Sequence, residues 1–210
     1  MIWNINKKFS IKPSIRYEYV SKDISFSSNI IDDISSSSFI YAMIIKSTED
    51  NSIVDDYHTI YPDLHITYNI TEKQSLQFGL SKRVNRPGDG GHGGGSRQIR
   101  PFPRDVYSEN FIFMGNPFLK PEYSTQYEIS FKSPMPMGFG YVNLYYHQLE
   151  NVIEWYDDDR FDDSDVLTFR NADSGENMGI EIFTMLMGQT LGGGYNLSKL
   201  EDPSGDYELN

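Results

Sequence analysis

Few residues of this chain are spaced as a catalytic or metal site would require. The chain has 210 residues and no cysteine, which excludes thiolate chemistry and cysteine-ligated zinc. Its 4 histidines are scattered and lack the His-Glu-x-x-His spacing of a zinc enzyme. No nucleophile lies beside a base in a recognisable catalytic set. We therefore predict a protein that is not an enzyme and that has no cofactor and no metal.

An acidic segment over residues 157–165 is the strongest candidate for cation binding. Its carboxylates are of the type that calcium prefers, but the spaced Asp-x-Asp-x-Asn-Gly pattern is missing. Runs of like charge usually repel each other and stay hydrated, so a solvated loop is favoured and calcium binding stays open. The aspartates of this segment are Asp157, Asp158, Asp159, Asp162, Asp163 and Asp165.

Composition narrows the class of protein and of partner. The formal net charge is −12, and no stretch of the chain has the basic stripe that nucleic-acid binding requires. Aromatic residues make up 14% of the chain, mostly tyrosine and phenylalanine, which favours β-structure. Nucleic acid is therefore excluded as a partner.

Alternation of apolar and polar residues is the dominant pattern and predicts strands. It runs through Phe9–Val20, and it recurs in residues 59–70 and 75–81 around a short polar turn, which predicts a hairpin. Glycine-containing residues 172–175 and 188–193 are predicted to be a break and a turn. The further segments predicted as strands are 124–131, 139–156, 166–171, 178–187 and 194–199.

The connections between these strands alternate in length. Residues 71–74, 132–138 and 188–193 are short, whereas residues 27–56, 87–123 and 157–165 are longer. Outer-membrane barrels have short periplasmic turns and long extracellular loops, and their apolar faces contact lipid. The predicted fold is therefore all-β, a partial antiparallel transmembrane β-barrel segment of about seven or eight strands with long extracellular loops.

Two features of the chain suggest an internal piece of a longer protein. The first residues lack the apolar region and cleavage site of a signal peptide, although an outer-membrane protein must be exported. The predicted strands are also too few for the barrels of about 22 strands found in outer-membrane transporters. We expect residues 1–210 to form one partial barrel domain.

Short sequence motifs lie at the ends of several predicted strands. A strand ending in Ser-x-Arg-x-x-Arg-Pro is followed by a long loop, by Gly-Asn-Pro-x-Leu-x-Pro-Glu, and by a strand with Tyr-Glu. Asn and Gly-x-Glu landmarks come later, in collinear order. The motif residues are Ser81, Arg83, Arg86, Pro87, Gly115, Asn116, Pro117, Leu119, Pro121, Glu122, Tyr127, Glu128, Asn171, Gly179 and Glu181. In this order they resemble the terminal barrel region of TonB-dependent outer-membrane receptors.

The resemblance implies a receptor in the outer membrane of a Gram-negative bacterium. Receptors of this family carry an N-terminal plug domain, and we expect no plug domain in residues 1–210. Such a receptor binds a scarce nutrient at its extracellular loops and imports it through the barrel. The implied partners are the lipid bilayer, the nutrient, and an inner-membrane energy-coupling complex that acts through parts outside this chain. The ligand stays open among siderophore, cobalamin, oligosaccharide and peptide.

Candidate ligand contacts lie in the predicted extracellular loops of residues 88–114 and 157–165. The candidates are His92, Arg97, Arg100, Arg104, Asp157, Asp158 and Asp159. The other motif residues are expected to support the fold. Pro117 and Pro121 would stiffen an extended path into the next strand, and Arg83, Arg86 and Glu122 would form a charge-assisted pair at the rim.

Two other functions remain open from the sequence. The first is a non-transporting outer-membrane barrel that acts as an adhesin or an assembly factor. The second is a soluble β-sandwich that binds carbohydrate or another ligand. A sandwich would bury the apolar side chains in a closed core, whereas a barrel would expose them to lipid. The residues that distinguish the two are Ile15, Tyr17, Ile66, Phe78 and Ile129.

Overall fold

The computed structural model describes residues 2–25, 52–88, 98–99, 105–108, 111–113, 115–157, 165–186, 188–202 and 205–209. These residues form strands and turns, and among them there is no helix of the length and apolarity needed to span a membrane. The strands are β1 (Trp3–Asn4), β2 (Phe9–Ser25), β3 (Ser52–Asn69), β4 (Ser75–Asn85), β5 (Asp105–Ser108), β6 (Phe111–Phe113), β7 (Glu122–Met135), β8 (Gly138–Asp157), β9 (Asp165–Leu186), β10 (Gln189–Asp202) and β11 (Gly205–Leu209).

All of these strands belong to one 11-stranded sheet. Its order is β1-β2-β3-β4-β7-β8-β9-β10-β11, and the neighbours along this path are antiparallel. The β5–β6 hairpin joins the start of β9 by a short parallel pairing. No described pairing connects β1 or β2 to β10 or β11, so the described sheet is an open arc. The prediction of an all-β antiparallel fold is confirmed.

The two faces of the sheet differ in polarity. On one face large apolar side chains are exposed, with Ile15 at 73%, Tyr17 at 61% and Ile129 at 47%. A soluble sandwich would bury these side chains, so that alternative is wrong. On the opposite face the register places polar residues in a row across five strands. This row consists of Lys12, His65, Glu128 and Tyr145, with Gly79 of β4 between His65 and Glu128.

Tight turns lie at one end of the sheet, which we call the inner end. The β7–β8 connection has Met137 at φ 66°, and the β9–β10 connection has Gly188 at φ 78°. Left-handed residues of this kind suit short hairpins, since their twist matches that of the strands. The long connections lie at the opposite end, here called the outer end, as their lengths predicted.

The predicted break at residues 172–175 is wrong, because β9 is continuous through it. Gly175 pairs with Leu149 of β8 and with Leu200 of β10. A Cβ at Gly175 would lie 3.3 Å from both the Lys199 carbonyl oxygen and Val152 Cγ2. The glycine therefore allows close approach inside a strand, which composition alone does not distinguish from a turn.

Other boundaries also differ from the prediction: residues 132–135 and 138, predicted as part of a turn, belong to β7 and β8, and the predicted loop of residues 87–123 contains β5 and β6. Two more segments show the cause. Most of residues 188–193, predicted as a turn, belong to β10, where Gly192 and Gly193 pair with Phe183 and Ile182. Residues 52–56, predicted to be part of an acidic loop, begin β3 and pair with residues 21–25 of β2. In both places the neighbouring strand supplies hydrogen-bonding partners that override weak local preference.

A seam divides the outer end of the sheet between β3 and β4. Their ladder runs from Asn69 and Ser75 to Asp63 and Ser81. Beyond that point β3 continues beside β2, and β4 continues beside β7. No ladder pair in the described part of the chain joins residues 52–62 of β3 to residues 82–85 of β4. The two sides of the seam therefore depend on side chains for contact.

Candidate functional site

The segment formed by residues 115–122 leads from the long loop into β7, and we call it the strap. Its Pro117 and Leu119 side chains are the largest fully buried ones among the described residues. Asn116 turns the strap, since its Oδ1 accepts from the Phe118 amide at 2.9 Å. The Asn116 Nδ2 donates to the Phe169 carbonyl of β9 at 3.0 Å. One side chain thus shapes the strap and binds it to the sheet.

Asn171 of β9 holds the middle of the strap. Its Oδ1 accepts from the Lys120 amide at 2.8 Å, and its Nδ2 donates to the Lys120 carbonyl at 3.0 Å. The same Nδ2 donates to the Asn151 carbonyl of β8 at 2.8 Å. The Asn171 side chain therefore hydrogen-bonds both backbone groups of Lys120, as a neighbouring strand would. It links this part of the strap to β8 and β9.

The end of the strap is fixed to β8. Glu122 Oε2 accepts from the Ile153 amide at 2.9 Å, and Asn151 Nδ2 donates to the Pro121 carbonyl at 3.3 Å. Asn151 itself has φ 55°, a left-handed conformation that asparagine tolerates better than most residues. The Glu122 and Asn151 side chains thus hydrogen-bond backbone groups at the point where the strap continues into β7.

An apolar cluster lies between the strap and the sheet. Phe113, Leu119 and Phe169 form its buried centre, and Ile153 and Leu167 pack against it. Leu119 is 0% exposed, so the strap adds a fully buried side chain to this cluster. Burial of such a side chain stabilises the folded state by about 1.5–3 kcal/mol relative to exposure.

Lys22 of β2 contacts the strap from the other side of the arc. Its Nζ donates to the Pro117 carbonyl at 3.4 Å and to the Leu119 carbonyl at 3.3 Å. It also forms an ion pair with Asp55 of β3 at 3.6 Å. Because β2 and β8 are separated by three strands in the sheet, this contact crosses the arc. The polar face is therefore the concave face.

A second group of side chains bridges the seam. Arg86, just beyond β4, forms an ion pair with Glu18 of β2. Tyr123 of β7 shares a hydrogen bond of 3.0 Å with Thr59 of β3. Burial acts to lower the pKa of Arg86, but a hydrogen bond to Tyr57 and the Glu18 carboxylate raise that pKa above its ordinary value. The guanidinium therefore stays charged.

The predicted charge-assisted pair at the rim has a different acid partner. Arg86 pairs with Glu18, whereas Glu122 accepts from a backbone amide of β8. The sequence analysis predicted that Arg83 and Arg86 pair with Glu122. On the concave face, Arg86 instead contacts the carboxylate of Glu18, which belongs to β2, much earlier in the chain.

Nearer the inner end, polar side chains form a network on the concave face. Ser130 Oγ donates to Asn143 Oδ1 at 2.9 Å, and Asn143 Nδ2 donates to Glu181 Oε2 at 3.4 Å. The motif acids Glu128 and Glu181 both lie on this face. Hydrogen bonding of this kind stabilises polar side chains that face the interior of a barrel.

Gly179 leaves space for a neighbouring tyrosine. A Cβ at Gly179 would lie 2.6 Å from Tyr145 Oη and 2.5 Å from the Tyr195 carbonyl oxygen. The Tyr145 ring crosses this position, and its hydroxyl donates to Asn196 Oδ1 at 3.1 Å. An aromatic ring laid over a strand glycine restores the packing that the glycine lacks.

The predicted ligand contacts fall mostly outside the described residues. Asp157 is described as the exposed last residue of β8, where it pairs with Leu167. The remaining candidates, His92, Arg97, Arg100, Arg104, Asp158 and Asp159, lie outside the described part of the chain. Within the described part, no group of three His, Asp or Glu residues is placed to hold a metal ion.

Several residues of the site were not predicted from sequence. Lys22, Asn151 and Trp155 lie within strands and belong to none of the quoted motifs. The Trp155 ring packs 4.2 Å from Phe169 and 5.1 Å from Phe113, centre to centre. Trp155 and Phe169 share a face by strand register, but register is not readable from one strand alone. Lys22 continues the polar face of β2, so nothing in the local pattern distinguishes it from the other charged residues of that strand.

Comparison with known proteins identifies the type of fold. The family model described as "Outer membrane protein beta-barrel family" matches residues 3–189. Among curated proteins, none matches the chain.

Solved outer-membrane proteins have the same fold. The copper transporter OprC superposes with a TM-score of 0.63 at 12% identity, over 99% of this chain and 28% of that one. The siderophore receptor PirA from Pseudomonas aeruginosa gives 0.54 at 12% identity, over 95% and 35%. The Serratia marcescens hemophore receptor HasR, solved with HasA and heme, gives 0.51 at 13% identity, over 97% and 32%. This chain therefore spans about a third of each of these proteins.

Proposed function

Because the chain belongs to the outer membrane protein beta-barrel family, we propose that it is part of a receptor that imports a nutrient across the outer membrane. Family membership locates the chain in the outer membrane of a Gram-negative bacterium, as part of a barrel wall. The barrels it resembles are those of TonB-dependent receptors, which are receptors and transporters rather than enzymes.

The observation that carries the proposal is the fixing of a long loop at both ends. The loop between β4 and β7 starts at Arg86, which is tied to Glu18, and it ends in the strap. Both anchors lie on the concave face at the outer end of the sheet. A loop with anchors at this point is suited to contact a solute that enters the barrel.

In the proposed cycle, residues 88–114 and 157–165 bind the nutrient from the outside. The basic residues Arg97, Arg100 and Arg104 would bind an anionic group of the nutrient, with His92 nearby in sequence. Transport inward would then be driven by the inner-membrane energy-coupling complex, through parts outside this chain. Residues 1–210 would act as one partial barrel domain without a plug.

The identity of the nutrient is a separate question from the type of transport. The three neighbours are named as a copper transporter, a siderophore receptor and a hemophore receptor. Because the same fold serves each of them, the fold does not select the ligand. The loops must do so.

Deletion of the gene in the source organism tests the proposal. We expect the deletion strain to lose growth on one scarce nutrient within a panel of iron, copper, cobalamin, glycan and peptide sources. The full-length gene should restore growth, and a gene with Arg97, Arg100 and Arg104 changed to Ala should not. A gene with Lys7 and Lys8 changed to Ala, at the inner end, is the matched control and should restore growth. Unimpaired growth of the deletion strain on every source would contradict the proposal.

A further inference from the structure

The outer part of the arc is held by side chains where backbone pairing is missing. Across the seam, Glu18 pairs with Arg86, and Thr59 bonds with Tyr123 at 3.0 Å. Most neighbouring strands of a sheet are joined by regular ladders, in which the backbone fixes their separation. Contacts through side chains have more freedom, so the seam is the place where the mouth of the barrel can change width.

The strap crosses the same region and links strands on the two sides of the arc. It is fixed to β8 and β9 by Asn116, Asn171 and Glu122. Lys22 joins it to β2, and Asp55 joins Lys22 to β3. A link between distant strands limits how far the two sides of the arc can separate. The reach of the Lys22 side chain to the strap therefore sets the distance between β2 and the strands that hold the strap.

We propose that Lys22 and Arg86 are positioning residues that hold the seam closed and set the width of the outer mouth. The inference rests on the proposed import function, since the width would limit the size of solute admitted. Both residues act through charge on partners that come from other strands. Arg86 also interacts with Tyr57, so its removal would disturb more than one contact. Lys22 is the cleaner position for a test.

A distance measurement on the full-length protein, purified from outer membranes, tests the proposal. This chain has no cysteine, so Ser21→Cys and Asp173→Cys introduce one label pair into it, across the outer end. Any cysteine elsewhere in the full-length protein is replaced first. Glu72→Cys and Gln189→Cys give a second pair at the inner end. Spin-label distances are then compared among the native sequence, Lys22→Met and Lys22→Arg.

We expect Lys22→Met to lengthen the outer distance by at least about 3 Å, roughly one residue step of a strand. Lys22→Arg keeps a cation of similar reach and should restore the native distance, and the inner distance should not change. An unchanged outer distance in Lys22→Met would overturn the proposal. Equal shifts of both pairs would also overturn it, since Lys22 would then support the whole fold. No ligand is needed, so the result stands even if the import proposal fails.

Discussion

The replacement of Asn171 by alanine tests how firmly the strap is bound. The substitution removes hydrogen bonds of 2.8 Å and 3.0 Å to Lys120 and one of 2.8 Å to Asn151. Each such bond contributes about 1 kcal/mol net, and water replaces part of it because Asn171 is only half-buried. Two of these bonds hold Lys120 of the strap, so we expect the strap to open more easily by about 2 kcal/mol.

Hydrogen exchange at the Lys120 amide reports the loss of this anchoring, since Asn171 Oδ1 is its acceptor. In the full-length protein folded into phospholipid vesicles, exchange at Lys120 should accelerate roughly 30-fold, because each 1.4 kcal/mol corresponds to a factor of ten. Amides of the β8–β9 ladder near the inner end, such as that of Phe183, should keep their native rates.

Asn177→Ala is the matched control for this experiment. Asn177 lies on the same strand and face as Asn171, and its Oδ1 has no hydrogen-bond partner among the described residues. The control should leave exchange at Lys120 unchanged. An unchanged rate in Asn171→Ala, or an equal acceleration in both variants, would refute the reasoning.

Three further substitutions test the packing and the two faces. Leu119→Ala should lower the free energy of unfolding by about 2–5 kcal/mol, measured by urea titration in vesicles, because Leu119 is 0% exposed. Gly179→Leu should reduce the folded fraction in a gel-shift assay, since even a Cβ would lie 2.5 Å from the Tyr195 carbonyl oxygen. Gly193→Leu is the control and should fold, because a Cβ at Gly193 has no atom within 4 Å. Ile129→Arg should reduce insertion into vesicles by about 2–4 kcal/mol, because it adds a charge to the lipid-facing surface; normal insertion would argue against that assignment.

The sequence was sufficient to predict the type of fold. Alternation in Phe9–Val20 identified β2, and the alternation of short and long connections predicted a membrane barrel. The family match confirms the barrel and the outer-membrane location, and the receptor neighbours share the fold. These predictions succeeded because period and loop length are local properties, readable from a single chain.

The candidate site was predicted only in part, for a physical reason. The motif residues Asn116 and Asn171 were recognised, but their hydrogen bonds to Phe169 and Lys120 depend on how distant strands are aligned. Lys22 was missed because its partners lie on the far side of the arc. Register and curvature arise from the whole sheet, so the composition of one strand does not reveal them.

Glycine was the least reliable signal along the chain. Residues 172–175 and 188–193 contain glycine and were predicted as a break and a turn, yet Gly175 and Gly192 lie in continuous strands. Glycine fits a turn through its backbone freedom, but it also fits a strand where a neighbour approaches closely. Only the neighbouring strands distinguish these two uses.

Energy-dependent uptake tests the central claim most directly. The measurement is accumulation, in whole cells, of the nutrient identified by the growth panel, with and without the inner-membrane energy-coupling complex. The account predicts accumulation only when both the full-length protein and the coupling complex are intact. Accumulation that persists without either one would contradict an energy-driven import role and favour a non-transporting barrel.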